Sequence, residues 1–255
     1  MSDDAASQVQ LEVRDGVAVV TLHAPERRNA LTEDMAKELI ELCGRIDADD
    51  TIGAAVVQGS GGHFCAGAHR DVLDGAGDDP ADPDNYTAIG SVYQAFQRVG
   101  RLAVPTIAAV RGAAVGAGVN LMMATDLRVV SDSVRVIAGF LRIGLHPGGG
   151  HFTLLGRTAG REATSAMALF SEEVGGPRAV ELGLAWECLP DDEVEARAFE
   201  LARRPAKDAG LARAAVASFR SEVDPPGTTW EVASQAERAS QMWSLRRRAL
   251  ASDDG

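Results

Sequence analysis

Two short segments of this chain are rich in glycine and alanine, and each follows an apolar run. Residues 61–69 read Gly-Gly-His-Phe-Cys-Ala-Gly-Ala-His after the run 53–59, and residues 111–120 read Arg-Gly-Ala-Ala-Val-Gly-Ala-Gly-Val-Asn after 106–110. Small side chains let a ligand approach the backbone, so that N–H groups can point at it. The second segment leads into a helix pattern, and a helix N-terminus carries partial positive charge. Two such donors aimed at one carbonyl oxygen form an oxyanion hole, worth roughly 3–4 kcal/mol per donor in known cases. The same glycines and alanines also permit tight packing of helix on sheet, and spacing alone does not choose. Neither segment is a GxGxxG or Walker loop, so nucleotide phosphate cradling by those routes is not expected.

The side chains that could move protons are few. His69 and His146 offer imidazoles, whose ordinary pKa suits acid–base work. Each also reads as a loop histidine satisfied by backbone. His63 and His151 have no partner that spacing identifies. Cys65 lies beside the first turn, where a small residue serves as well as a nucleophile. Cys43, Cys65 and Cys188 are scattered, with no spacing that reads as a zinc site, so no metal is expected. Sparse, odd cysteines fit a reducing compartment. Asp71 and Asp74 read as helix-start and loop acids, Met122 and Met123 as core, and the arginines at 246–248 as a solvated helix face.

The elements that must position these residues follow from periodicity. Val9, Leu11 and Val13 alternate with polar residues, Asp15-Gly16 supplies a turn, and 17–22 runs back as a hairpin. Thr32 is a candidate N-cap for a helix striped by Met35, Leu39, Leu42 and Ile46. Buried strands are predicted at 53–59, 106–110, 127–130 and 134–138, and helices at about 85–101 and 119–124. Residues 74–84 (DGAGDDPADPD) hold no large apolar group and predict a mobile surface loop. Beyond Gly150 helices are predicted at about 151–157, 160–170, 177–182, 191–203, 208–221 and 229–249. Strands alternating with helices, then helices alone, predict an α/β fold with a helical C-terminal part.

The chain has 255 residues, enough to bury a core without disulfides. Asp and Glu outnumber Lys and Arg by 37 to 25, a net charge of -12. That balance argues against nucleic acid and against anionic membrane surfaces. The acids cluster at Asp3 and Asp4, at 47–50, 71–84 and 191–195, and at Asp253 and Asp254. Lys37 and Lys207 are the only lysines, so arginine supplies nearly all the positive charge. No apolar run is long enough to span a membrane and the first residues do not read as a signal peptide, so a cytoplasmic protein is expected.

Five segments carry a family resemblance: PERRNAL (25–31), GGHFCAGAHR (61–70), PTIAAVRGAAVGAGVNLMMATDLRVVSD (105–132), GLHPGGG (144–150) and AVELGLAWECLP (179–190). In order and spacing they resemble the successive signatures of the crotonase superfamily, the enoyl-CoA hydratases and isomerases. The resemblance implies a spiral of ββα units over 1–195, holding an acyl-CoA site. It also implies a C-terminal helical trimerisation region over 196–255, with assembly into a homotrimer or hexamer. It implies coenzyme A thioesters as substrate or ligand and no further cofactor. By position the oxyanion donors are the N–H groups of Ala68 and Ala117. Ala66, His69, Phe140 and Gly148 fall at the substrate, His69 where relatives usually carry Asp. His146, before Pro147, falls near the expected acyl pocket as an acid–base candidate. Arg27 and Arg28 lie in the loop that meets the adenosine part of coenzyme A, and arginine pairs well with phosphate; both also read as solvated surface arginines.

The chain departs from the pattern where the hydratases carry two catalytic glutamates. The matching positions hold Asn120 and Phe140, and Gly148 stands where some relatives place Asp. An amide cannot act as a general acid or base near neutral pH, and a phenyl ring cannot at all, so Asn120 is a catalytic-site candidate only for orienting a water or hydrogen-bonding the substrate, while Phe140 fills the space with apolar surface. The expectation is therefore an acyl-CoA protein with an oxyanion hole and non-standard chemistry: hydration, double-bond isomerisation or hydrolysis. The alternative is a non-catalytic acyl-CoA-binding protein.

Overall fold

The structure is a computed structural model describing residues 7–223 and 229–253, without the side chains of 221–223, 233, 236, 240, 244, 247, 248 and 251–253. The acids Asp3, Asp4 and Asp254 and the side chains of Arg247, Arg248 and Asp253 thus lie outside it.

The hairpin forms as the alternation predicts. Strands β1 (Val9–Arg14) and β2 (Val17–Leu22) pair antiparallel. Asp15 and Gly16 both take positive φ, 51° and 74°, which is the turn that matches strand twist. Helix α1 (Glu33–Ala48) starts where Thr32 Oγ1 accepts from the Met35 N–H at 3.1 Å, and it buries Met35, Leu39, Leu42 and Ile46. Then follow β3 (Ala54–Gly59), α2 (Arg70–Asp78), α3 (Pro83–Gly100), β4 (Thr106–Val110), β5 (Ala113–Val115), α4 (Ala117–Ala124), β6 (Leu127–Ser131) and β7 (Arg135–Ile137). The chain continues through α5 (His151–Ala168), β8 (Glu173–Gly175), α6 (Gly176–Glu181), β9 (Glu187–Leu189), α7 (Val194–Ala206), α8 (Ala209–Val223) and α9 (Trp230–Asp253).

Six strands form one sheet in the order β1-β2-β3-β4-β6-β9, parallel from β2 onward, and β5-β7-β8 form a smaller sheet. Period-two alternation gives the large sheet two buried faces. Val17, Val19, Ala54, Val56, Ile107, Ala109 and Val129 meet Val194, Ala198 and Ala202 of α7. The intervening Ala18, Val20, Ala55, Val57, Ala108, Val110 and Val130 join the main core with α1, α3 and α4. The fold is α/β with C-terminal helices. Among the described residues no helix is long and apolar enough to cross a membrane.

Two expectations need correction. The loop predicted at 74–84 is instead α2 followed by a capped turn. Asp82 Oδ1 accepts from the N–H groups of Asp84 and Asn85, so α3 starts at Pro83, not 85. Small residues suit α2 because it packs closely on α9: Ala76 and Gly77 are buried, and a Cβ on Gly77 would lie 3.2 Å from the Leu245 carbonyl oxygen. Strands β5, β8 and β9, of three residues each, carry too little pattern to be read. The helices read at 151–157 and 160–170 are both present within α5, separated at Gly160, whose φ of 75° breaks helical geometry.

Candidate functional site

The two glycine-alanine turns meet. Cys65 and Ala114 form a β-bridge, Cys65 N–H donates to the Ala113 carbonyl at 3.1 Å, and Val115 N–H donates to the Cys65 carbonyl at 3.0 Å. Glycine is obligatory at the crossing. A Cβ on Gly118 would collide with the Cys65 carbonyl oxygen; one on Gly67 would lie 2.8 Å from the Val115 oxygen and 3.7 Å from Ala117 N. The packing that demands glycine also brings Ala68 and Ala117 to the wall of one cavity. Ala117 is the first residue of α4, so its N–H has no partner within the helix. No hydrogen bond engages the N–H of Ala68 or Ala117 among the described residues.

The first turn is braced by the 25–31 loop. Leu31 N–H donates to Gly67 O at 2.7 Å, His69 N–H to Leu31 O at 2.8 Å, and Ala66 N–H to Arg28 O at 3.0 Å. Asn29, fully buried with φ 56°, ties the loop together. Its Oδ1 accepts from Ala24 N–H at 2.9 Å, and its Nδ2 donates to the carbonyls of Ser60 and His63 at 2.9 and 2.7 Å. The PERRNAL motif contained this anchor, but no periodic signal singles out its asparagine.

Beneath the two donors lies a cavity of about 260 Å³, with Ala66, Gly67, Ala68, Ala117, Asn120, Phe140 and Gly148 in its wall. The rest of the wall is largely apolar, with Leu73, Ile89 and Val92 from α2 and α3. Four polar side chains reach it: Asn120, Tyr93, Gln241 and Arg70. Sequence reasoning missed the last three, because Tyr93 and Gln241 are far apart in the chain and meet only when α9 folds over α3. The Tyr93 hydroxyl donates to Gln241 Oε1, and burial pushes its pKa up, so the phenol keeps its proton. A Cβ at Gly148 would collide with this pair.

Asn120 is buried and held at both ends. Its Nδ2 donates to Gly148 O at 2.9 Å, and its Oδ1 lies 2.7 Å from His151 Nδ1. His151 is fully buried, and desolvation pushes its pKa down to about 3, so the ring is neutral. The rings of Phe140 and His151 cross at 67° with centroids 4.9 Å apart. Glu237 of α9 closes the loop from outside. Its carboxylate accepts from Gly150 N–H at 2.7 Å and His151 N–H at 3.1 Å, and burial pushes its pKa up to about 7. Trp230 Nε1 donates to Gly149 O at 2.9 Å beside it.

His69 and His146 stand outside the cavity wall. His69 caps α2, with Nδ1 3.3 Å from Asp71 N and 3.4 Å from Asp71 Oδ2. His146 turns Nδ1 to the Pro147 carbonyl at 2.6 Å and packs its ring against Phe152. Arg27 is committed to its own loop, donating to Ala30 O at 3.0 Å, to Glu26 Oε1 at 2.9 Å and to Gln8. The Arg28 and Arg70 side chains are exposed and have no hydrogen-bond or ion-pair partner among the described residues. Cys65 is buried, and burial pushes its thiol up to about 12, which leaves no thiolate for nucleophilic attack.

This fold and paired-turn site define a class. The family model for enoyl-CoA hydratase/isomerase matches residues 12–244, and the chain belongs to that family, within the crotonase superfamily. Among curated proteins it is similar to the probable enoyl-CoA hydratase EchA14 of Mycobacterium tuberculosis, with 41% identity over 78% of this chain and 75% of that protein. It is also 32% identical to the 1,2-epoxyphenylacetyl-CoA isomerase of Escherichia coli, over 81% of this chain and 80% of the other. Among solved structures, an enoyl-CoA hydratase from Mycobacterium avium subsp. paratuberculosis superposes with a TM-score of 0.81 at 25% identity, covering 98% and 99% of the two chains.

Proposed function

We propose that this chain binds an acyl-CoA thioester with its carbonyl oxygen between the N–H groups of Ala68 and Ala117 and acts at the thioester or its α and β carbons. One observation carries this reading: two unpartnered backbone donors on abutting turns, at the head of a mostly apolar cavity. Donors fixed before the reaction stabilise an enolate or tetrahedral oxyanion by roughly 3–4 kcal/mol each. Exposed Arg28, hydrogen-bonded by its backbone to Ala66, and Arg70 at the cavity are the counter-charges we assign to the coenzyme A phosphates.

The two-glutamate route of hydration is not the one we assign. Asn120 and Phe140 stand at the matching positions, and the Asn120 amide is held by Gly148 and His151. Isomerisation, hydrolysis or a hydration using another proton carrier fits the site. That same engagement of Asn120 favours the second reading, a binder that has kept the oxyanion hole without the chemistry.

Calorimetric titration with butyryl-CoA and a crotonyl-CoA hydration assay test both. Binding with hydration near the uncatalysed rate is expected. Fast hydration overturns the non-standard reading, and absence of binding overturns the ligand. A panel of enoyl-, dienoyl- and hydroxyacyl-CoA substrates then separates enzyme from binder. We also propose assembly as a trimer or hexamer through the C-terminal helices, which light scattering of the full chain tests.

A further inference from the structure

A second cavity, of about 650 Å³, lies at the other end of α4. Met123 and Ala124 of that helix are in its wall, whereas Ala117 and Asn120 line the cavity beneath the glycine-alanine turns, and the two walls share no residue. Residues of α3, α5, α8 and α9 complete it. Its size suits a small organic ligand.

The wall reverses the sign of the molecule. In a chain of net charge -12, four arginines stand in it (Arg101, Arg128, Arg157 and Arg220) beside two carboxylates, Asp126 and Glu231. Asp126 is fully engaged. Arg220 Nε and Nη2 reach its two oxygens at 3.1 and 2.7 Å, and the Thr106 N–H and hydroxyl both donate to Oδ2 at 2.8 Å. Glu231 pairs with Arg101 at the half-exposed rim.

Arg128 is left over. Its Nε donates to Leu184 O at 3.0 Å, and its Nη1 to the carbonyls of Thr125 and Asp126 at 2.9 and 3.2 Å. These are neutral acceptors, and Arg128 has no ion pair of its own among the described residues. Burial pushes its pKa down and the nearby Asp126 opposes this, but a guanidinium keeps its proton in any case. A cation taken out of water is normally paired. Arg128 Nη2 donates to no described residue and is not sealed from solvent, so its N–H groups are open at the cavity that Arg128 lines. Phe219, also in the wall and 49% exposed, adds a flat apolar surface.

We propose that this cavity is a second ligand site, for a phosphate-bearing anion no larger than a nucleotide, with Arg128 Nη2 as its inner donor and Arg101 and Arg157 as its outer charges. Guanidinium groups suit phosphate because their N–H forks match its oxygens. A ring attached to the phosphate packs on Phe219. The site does not depend on the acyl-CoA reading, and it is filled independently of the first cavity.

Calorimetry on the full chain with pyrophosphate and with AMP tests it, each alone and with butyryl-CoA present. One anion is expected to bind per chain, with an affinity that falls as salt is added, and to bind still when butyryl-CoA is in excess. Tighter binding of AMP marks an organic phosphate as the occupant and tighter binding of pyrophosphate an inorganic one; either result supports the site. Arg128→Gln is expected to weaken binding about tenfold, as loss of a charged hydrogen bond allows. Because Arg128 also holds three carbonyls, Arg157→Glu, at an exposed position of α5, provides a second variant, expected to weaken binding at least as much while the chain stays folded. No saturable binding, displacement by butyryl-CoA, or undiminished binding in Arg157→Glu overturns the proposal. So does a wild type that binds neither anion while Arg157→Glu lowers the mass in light scattering, since the arginines then form a contact between copies of the chain.

Discussion

Glu237 on the last helix accepts the backbone N–H of His151 at 3.1 Å, joining the C-terminus of the fold to the loop that carries the site. The same oxygen takes the Gly150 N–H at 2.7 Å. These bonds favour the carboxylate, but burial outweighs them and holds its pKa near 7. An acid with a raised folded pKa contributes stability that is full below its unfolded value and fades as pH rises through the folded one. Glu237→Gln keeps an acceptor oxygen and removes the ionisation. The melting temperature of the variant relative to wild type is expected to rise between about pH 4.5 and 7 and then level off. A difference that is flat with pH would contradict the assignment.

His151 has the opposite sign. Its folded pKa, pushed down to about 3, lies below the ordinary histidine value of about 6.5. The folded state thus binds fewer protons, and the stability His151 contributes is present above about pH 6.5 and lost as pH falls toward 3. Urea denaturation of wild type and His151→Phe across that window isolates this term from the many carboxylates. The wild type is expected to lose stability more steeply on acidification than the variant. Parallel curves would show that the imidazole is not buried neutral.

The two adjacent arginines of PERRNAL separate cleanly. Arg27 donates to Ala30 O, Glu26 and Gln8, whereas the Arg28 side chain is exposed and has no partner among the described residues. Arg27→Ala is expected to cost about 1–2 kcal/mol of stability through lost hydrogen bonds to a charged group. Arg28→Ala is expected to stay within about 0.5 kcal/mol of wild type in stability. It is expected to weaken acyl-CoA binding instead, most strongly at low salt. Thermal melts and titrations at two salt concentrations read both effects.

What the sequence revealed and hid divides along physical lines. Local signals held: the Asp15-Gly16 turn, the Thr32 cap and the α1 stripe depend on residues within a few positions of one another. The two turns were legible because glycine at 67 and 118 marks backbone approach. The 74–84 segment misled because its small residues pack against α9, a partner more than 150 positions away, and composition does not show partners. For the same reason Tyr93 with Gln241, and Asn120 with His151, were invisible as pairs. His151 follows three glycines directly, and that was the one local hint of a constrained position.

The crossing of the two turns makes the sharpest prediction. At Gly118 a methyl group meets the Cys65 carbonyl, which is backbone and cannot swing away, and Gly67 combines φ of 97° with a close approach to Val115 O. Gly118→Ala is expected to cost about 3 kcal/mol or more, because overpacking against backbone forces the turns apart. Gly62→Ala is the control. Gly62 has φ of 76° but open space around its Cβ position, so only the left-handed backbone resists, at about 1–2 kcal/mol. Separation of the turns also moves Ala68 away from Ala117. Gly118→Ala is therefore expected to abolish acyl-CoA binding at temperatures where it remains folded, while Gly62→Ala binds normally. Denaturant melts and titrations on the two variants decide it: if Gly118→Ala binds like wild type, the two N–H groups are not the oxyanion donors.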